Sequence, residues 1–245
     1  MEETKNTPAI ILNRQDYREQ DILVTVYARD FGKRTLVARG AKKPGSKLAG
    51  HIEPLALADI LVVKGKGRDY IGSALTRRAH QGIRADLNKL YYAGQAVGLF
   101  SRLVKDSQPE EEIFSLLSDW LGALDDFIGS ADFNREEGEL FYNFFALKLL
   151  AVSGYAPAWR TCLACGRKIE PGRNFFAARG GGLVCSTCFD QKRASGQDLS
   201  DLLIISDNCV KLIRYLSDSQ NLKIKVDKKI IREAKKVIDF FVNYL

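Results

Sequence analysis

Two histidines, six prolines and five cysteines among 245 residues are too few for several kinds of protein. His51 and His80 lie far apart in the chain, and neither has metal-ligand or nucleophile neighbours, so a histidine-built metal centre or catalytic triad lacks its material. Surface or loop positions are expected for both. The proline count excludes a collagen-like repeat, and five cysteines in a chain of this length exclude a disulfide-stapled miniprotein. No apolar run approaches the ~18 residues that a membrane span needs. Residues 1–6 lack the basic start and following apolar stretch of a secretion signal. There is no internal repeat and no low-complexity segment. These absences lead to the expectation of a soluble, cytoplasmic protein.

What is present is ordinary in amount and uneven in placement. Hydrophobic residues make up 46% and charged residues 27%, enough for a core in one large domain or two to three small ones. The formal charge is +7 and the sequence pI about 9.1. Residues 1–80 carry 15 basic and 9 acidic groups, whereas residues 106–140 carry 1 basic and 11 acidic. A positive balance permits nucleic acid as a partner, and the segregation makes the position of the charge more informative than its total.

The first eighty residues have the pattern of short strands. Ala9–Leu12 and Ile22–Tyr27 are rich in β-branched residues, Asp30-Phe31-Gly32-Lys33 reads as a hairpin turn, and Thr35–Ala38 as the returning strand. Leu57–Val63 and Tyr70–Leu75 flank a turn containing Gly65 and Gly67. Five strands in so short a span predict a small barrel, most economically an OB-fold. Beyond about residue 85 the period becomes helical. Leu87, Leu90, Tyr91, Val97 and Phe100 are expected on one buried face. Ile113, Leu116, Leu117, Trp120, Leu121 and Leu124 follow after Pro109 and the acidic turn Glu110–Glu112. Leu140, Phe141, Phe144 and Phe145 begin a helix that should stop at Gly154. Cys209, Leu212, Ile213 and Leu216 suggest another, and Asp227 should cap the last, with Ile230, Ile231, Ala234, Val237, Ile238 and Phe241 inward. The fold expected is a multidomain α+β protein. A five-stranded OB-fold (1–80) precedes a helical domain (81–158 and 196–245) interrupted by a zinc ribbon (159–195).

Cys162-Leu163-Ala164-Cys165 and Cys185-Ser186-Thr187-Cys188 are two C-x-x-C pairs with nineteen residues between them. Two residues between thiolates let one tight turn offer both sulfurs to a single ion, and two such turns complete a tetrahedron. Paired redox dithiols are the alternative, disfavoured because cytosolic disulfides are rare. Four sulfur ligands leave no position for an activated water, so one structural Zn²⁺ is expected, standing in for the core that some thirty residues cannot build. Cys209, at an apolar helical position, reads as a buried thiol.

From Arg29 to Lys47 there are seven basic residues (Arg29, Lys33, Arg34, Arg39, Lys42, Lys43, Lys47) and one acid, Asp30; Lys64, Lys66 and Arg68 surround the second glycine-rich turn. Flexible cations on loops can track a phosphate backbone, so these ten are candidate nucleic-acid-binding residues, with Tyr27, Phe31 and Tyr70 near enough to stack bases. A merely solvated charged face is the competing reading. Gly40 to Lys47 imitates a phosphate-binding loop, but Ser46 precedes Lys47, the reverse of the order required, and no useful helix follows before Pro54. Glu110–Glu112 and Asp125-Asp126 read as an acidic helix start and end rather than nuclease carboxylates. No catalytic constellation emerges, so a binding protein and not an enzyme is expected.

Placed in order, these pieces resemble the bacterial RecO family of recombination mediators. The resemblance is carried by Leu12–Asp21, by Phe31-Gly32-Lys33 with Ala38-Arg39-Gly40-Ala41-Lys42-Lys43, by Ser46-Lys47-Leu48 and Glu53-Pro54-Leu55, and most specifically by Leu149–Pro157 running into Cys162-x-x-Cys165-Gly166. Gly181-Gly182-Leu183-Val184-Cys185 closes the ribbon as zinc-retaining members do. The resemblance implies an OB-fold followed by helices and a zinc ribbon, and binding of single- and double-stranded DNA with annealing of complementary strands. It also implies a role with RecR in loading RecA onto single-stranded DNA coated by single-strand-binding protein (SSB), with RecF in some pathways, and so a place at the nucleoid. No membrane and no small-molecule substrate are implied. The acidic, apolar tail of SSB would suit a groove edged by Arg102, Lys105, Lys211 or Arg214. The rival readings are an RNA-binding protein of translation, a protein adaptor that does not bind DNA, and an enzyme using the acidic helix.

Overall fold

The computed structural model describes residues 4–127, 133–220, 222 and 224–245. The chain divides into two compact units, Met1–Ala131 and Asp132–Leu245.

In the first unit, five strands close into a barrel: β1 (Thr4–Asp16), β2 (Ile22–Ala28), β3 (Gly32–Ala38), β4 (Leu57–Val63) and β5 (Tyr70–Arg78). The order is β1-β2-β3-β5-β4, with β4 returning antiparallel to β1. Closure comes from a parallel β3–β5 contact, Val37 opposite Tyr70, reinforced by Val37 N–H donating to the Asp69 carbonyl at 3.0 Å. This is the OB-fold that five short strands foreshadow. Alternation along β2 sends Ile22, Val24 and Val26 into the barrel, where they meet Ile11, Leu36, Ala58, Ile60 and Ile71. Register breaks in β1 and in the β4–β5 pair bend the strands for closure.

Three helices complete this unit: α1 (Gln81–Arg84), α2 (Leu87–Leu103) and α3 (Glu111–Asp126). Tyr27 leaves the barrel wall to pack edge-on against Phe100 (5.0 Å) and over Phe114 (6.5 Å), and its hydroxyl accepts from Glu110 N–H at 3.2 Å. Arg78 donates to Asp125 at 3.1 Å, and Lys33 donates to the Ser101 carbonyl at 2.6 Å. These bonds join α1–α3 to the barrel. The helical segment anticipated as one domain therefore contributes to both units.

One expectation about α2 is overturned. Leu87 and Tyr91 are 84% and 58% exposed, and Leu90 is exposed as well. The buried arc runs instead through Tyr92, Ala93, Ala96, Val97, Leu99, Phe100 and Leu103. Helix α3 buries its predicted face, with Leu116 half-buried at the margin.

The second unit contains α4 (Arg135–Val152), α5 (Ser186–Ala194), α6 (Asp207–Asp218) and α7 (Lys228–Val242). Its sheet has the order β6-β8-β7-β9, built from β6 (Ala158–Cys162), β7 (Asn174–Ala177), β8 (Gly182–Cys185) and β9 (Leu202–Ile205). Asn134 and Glu137 form a reciprocal cap on α4, Ser206 caps α6, and Asp227 caps α7 as expected. Buried Asn143 ties α4 to α7 by donating to the Ile231 carbonyl at 3.0 Å. Phe176 stacks on Trp159 (5.0 Å) and meets Phe241 edge-on (5.7 Å), so the sheet shares a core with α7. Among the described residues, no helix is long and apolar enough to cross a membrane.

Candidate functional site

Two loops at the closure seam of the barrel enclose a cleft of about 780 Å³. The β1–β2 loop turns tightly, with Tyr17 N–H donating to the Asp21 carbonyl at 3.3 Å. Asp21 in turn accepts from Gly40 N–H at 2.8 Å. Lys42 holds the same loop from outside, reaching Asp16 at 2.9 Å and the Arg18 carbonyl at 3.3 Å. The β4–β5 loop turns at Gly65, where a Cβ would overlap the Arg68 carbonyl oxygen. Asp69 steadies it by accepting from Gly65 N–H at 3.2 Å and from Arg34 at 3.1 Å.

The cleft brings together Arg39, Lys64, Lys66 and Arg68 from the sequence-derived set and adds Arg18. Asp21, the one acid among the described residues that line it, is engaged by the Gly40 amide. Tyr17 and Tyr70 also line it, each with a guanidinium over its ring: Arg18 at 5.0 Å and Arg39 at 3.9 Å. A concave surface with five cations and two aromatic rings, at the β1–β2 and β4–β5 loops of an OB barrel, can hold phosphates and bases together.

The other six basic candidates are placed elsewhere. Lys43 and Lys47 are exposed on the 40–48 loop, and no ion pair engages them among the described residues. Arg29 pairs with Glu111 at 3.1 Å and lies over Phe114. Lys33 is 14% exposed and pairs with Asp106 at 3.3 Å. Arg34 pairs with Asp69 and covers Phe31; Lys42 is 28% exposed and braces the β1–β2 loop. Tyr27 and Phe31 are buried, so the stacking role considered for them is excluded. Tyr17 and Arg18 escaped the sequence reading as site residues. Their signal was an aromatic-cation pair in a polar turn directly after the first strand.

Both histidines serve structure. His51 Nδ1 lies 2.9 Å from the Thr76 hydroxyl. His80 is buried rather than superficial, in a left-handed conformation with its Nδ1 2.7 Å from the Leu55 carbonyl, and burial lowers its pKa. Asp125 is likewise less solvated than expected: it accepts from Arg78 and from Ile83 N–H at 3.0 Å. After Gly40 only a short 3-10 turn, Ala49–His51, is formed. Of the candidates for an SSB-tail groove, Arg102 and Lys105 belong to the first unit, and Lys211 and Arg214 to α6 of the second. Arg214 is partly buried and donates to the Trp159 carbonyl at 2.8 Å.

In the second unit, Cys162, Cys165, Cys185 and Cys188 place their sulfurs within 4.8 Å of one another. Cys162 ends β6, and the turn to Cys165 closes with Gly166 N–H donating to the Cys162 carbonyl at 2.9 Å, which φ of +70° at Gly166 permits. Cys185 ends β8, and Cys188 lies in the first turn of α5. Metal–sulfur bonds of about 2.3 Å in a tetrahedron separate sulfurs by roughly 3.8 Å; Cys165 and Cys185 are 4.0 Å apart. Cys185 N–H donates to the Cys162 sulfur and Arg167 Nε to the Cys165 sulfur, so the surroundings suit thiolates. The four cysteines could therefore hold a metal ion. Cys209 lies apart, fully buried, with its thiol pKa raised by burial.

The family model described as Recombination protein O N terminal matches residues 1–78, and that described as Recombination protein O C terminal matches residues 84–245. Relatives named DNA repair protein RecO include one from Desulforamulus reducens, 28% identical over 239 residues, 96% of this chain and 87% of its own length. Another, from Anaeromyxobacter sp., is 36% identical over 191 residues, covering 77% of this chain and 72% of the relative. One from Roseiflexus sp. is 33% identical over 224 residues, 91% and 73% of the two chains. Matched by both family models over nearly its whole length, the chain belongs to the recombination protein O (RecO) family.

Proposed function

We propose that this protein is a non-enzymatic mediator of recombinational DNA repair that binds single- and double-stranded DNA and anneals complementary strands. The observation that carries the reading is the cationic, tyrosine-lined cleft at the closure seam of the barrel. Its lysine and arginine side chains are donors without acceptor capacity, suited to phosphate oxygens, and their charge opposes the repulsion that keeps two strands apart. Lys43 and Lys47, on the exposed 40–48 loop, contribute phosphate contacts outside the cleft.

Family membership supports the same reading of the partners. RecR and the SSB tail assist in delivering RecA to coated single strands, RecF takes part in some pathways, and the protein works in the cytoplasm at the nucleoid. The clustered sulfurs of Cys162, Cys165, Cys185 and Cys188 support assigning a single Zn²⁺ to the ribbon: with all four positions taken by protein sulfurs, the ion would organise the fold and not activate water.

The test is annealing of complementary oligonucleotides precoated with the cognate SSB, without nucleotide. Acceleration by the protein is expected. Absence of acceleration, with naked DNA still bound, would contradict the mediator role; preference for structured RNA would favour the translation-protein reading instead.

A further inference from the structure

We infer that Tyr17 is a base-stacking residue that makes the barrel cleft selective for unpaired strands. The inference rests on the DNA-binding reading above and specifies what the same cleft holds. Tyr17 is 39% exposed and stands in the cleft, on a loop held at several points. Its own amide closes the turn onto Asp21, and Lys42 clamps the loop through Asp16 and the Arg18 carbonyl. A loop fixed in this way loses little conformational freedom on binding.

Arg18 lies over Tyr17 at 5.0 Å and lines the same cleft, which places a cation beside the ring for the phosphate attached to a stacked base. Across the cleft, Arg39 lies against Tyr70 at 3.9 Å, and Lys66 and Arg68 extend the positive charge. At about 780 Å³ the cleft falls within the roughly 300–1,000 Å³ of pockets that enclose small molecules, which suits a few splayed bases. A paired base cannot present its face to Tyr17, because its neighbours in the duplex already cover it. The ring therefore adds affinity only for unpaired bases, while the cations serve either kind of strand.

The test compares the full-length protein with Tyr17→Ala and Tyr17→Phe on three probes: a thymidine oligonucleotide, an abasic oligonucleotide of the same length, and a duplex. Tyr17→Ala should weaken binding of the thymidine strand about tenfold, leave the abasic strand and duplex unaffected, and keep the parent unfolding temperature. Tyr17→Phe should restore thymidine binding. Equal loss on all three probes would reduce Tyr17 to a support for the loop, and no loss on any would remove it from the site; either overturns the inference while DNA binding stands. A parent protein that binds none of the probes would overturn both the inference and the reading beneath it.

Discussion

A Cβ at Gly32 would meet the Gln108 carbonyl oxygen at 2.5 Å and its backbone nitrogen at 2.8 Å, at a φ of +72° that L side chains rarely adopt. The segment between α2 and α3 crosses the β2–β3 turn there, so the clash is with backbone that cannot step aside. Gly32→Ala should cost about 2–4 kcal/mol in denaturant unfolding; a change below roughly 0.5 kcal/mol would mean that this crossing is loose. His80 presents a different dependence. Burial is the largest cause of its lowered pKa; the Nδ1–H bond to the Leu55 carbonyl and the charge of Asp125 oppose the shift, and Arg78 and Arg84 add to it. A pKa lowered by folding means that the unfolded chain takes up the proton first. The contribution to stability is therefore complete above the ordinary histidine value of about 6.5 and is lost as pH falls from there through the lowered folded value. The urea midpoint should decline between pH 7 and pH 5 more steeply in the parent than in His80→Asn, which tolerates the left-handed backbone and does not titrate. Parallel declines would place the pH dependence elsewhere. Neither role was legible in the sequence, because Gln108 and Leu55 are distant in the chain from the residues they constrain.

Elements were easier to read than their surroundings. All five barrel strands fall where β-branched runs lie between turn residues, since alternation and glycine placement are local properties. Helix α2 was legible as a helix and misread as a face. It carries apolar residues on both sides, and spacing alone does not tell which side a neighbour covers; packing around Tyr27 and Phe100 selects the arc through Tyr92, Ala96 and Leu103. The ribbon was legible because a metal tetrahedron constrains sequence spacing directly, although its sheet also recruits β9, beyond the cysteines. If zinc replaces a core there, its removal should act on that element first. The purified protein should contain one Zn²⁺ per chain. A strong chelator should abolish hydrogen-exchange protection over residues 158–205 while the barrel strands remain protected. Retained protection in the metal-free ribbon would show that its aromatic packing suffices without metal.

At the scale of the molecule, charge counted along the chain overstates what is available. Arg29, Lys33, Arg34 and Lys42 looked equivalent to Arg39 and Lys66, yet Glu111, Asp106, Asp69 and Asp16 engage the first four. Those acids lie as far away as the start of α3, so only the fold reveals the pairing. Among the described residues, what remains is Arg18, Arg39, Lys66 and Arg68 in the cleft, and the exposed Lys43 and Lys47. Acidic residues of α3 thus bind basic residues of the barrel within one unit, and the local excess of positive charge concentrates at the closure seam.

The most direct test of this account is the salt dependence of single-stranded DNA affinity in the parent and in the triple variant Arg39→Glu, Lys66→Glu, Arg68→Glu. About five phosphate contacts give a log–log slope near −3.5, and loss of three should flatten it by about 2 while weakening binding. A parent-like slope and affinity in the triple variant would contradict the assignment of the cleft as the DNA-binding site.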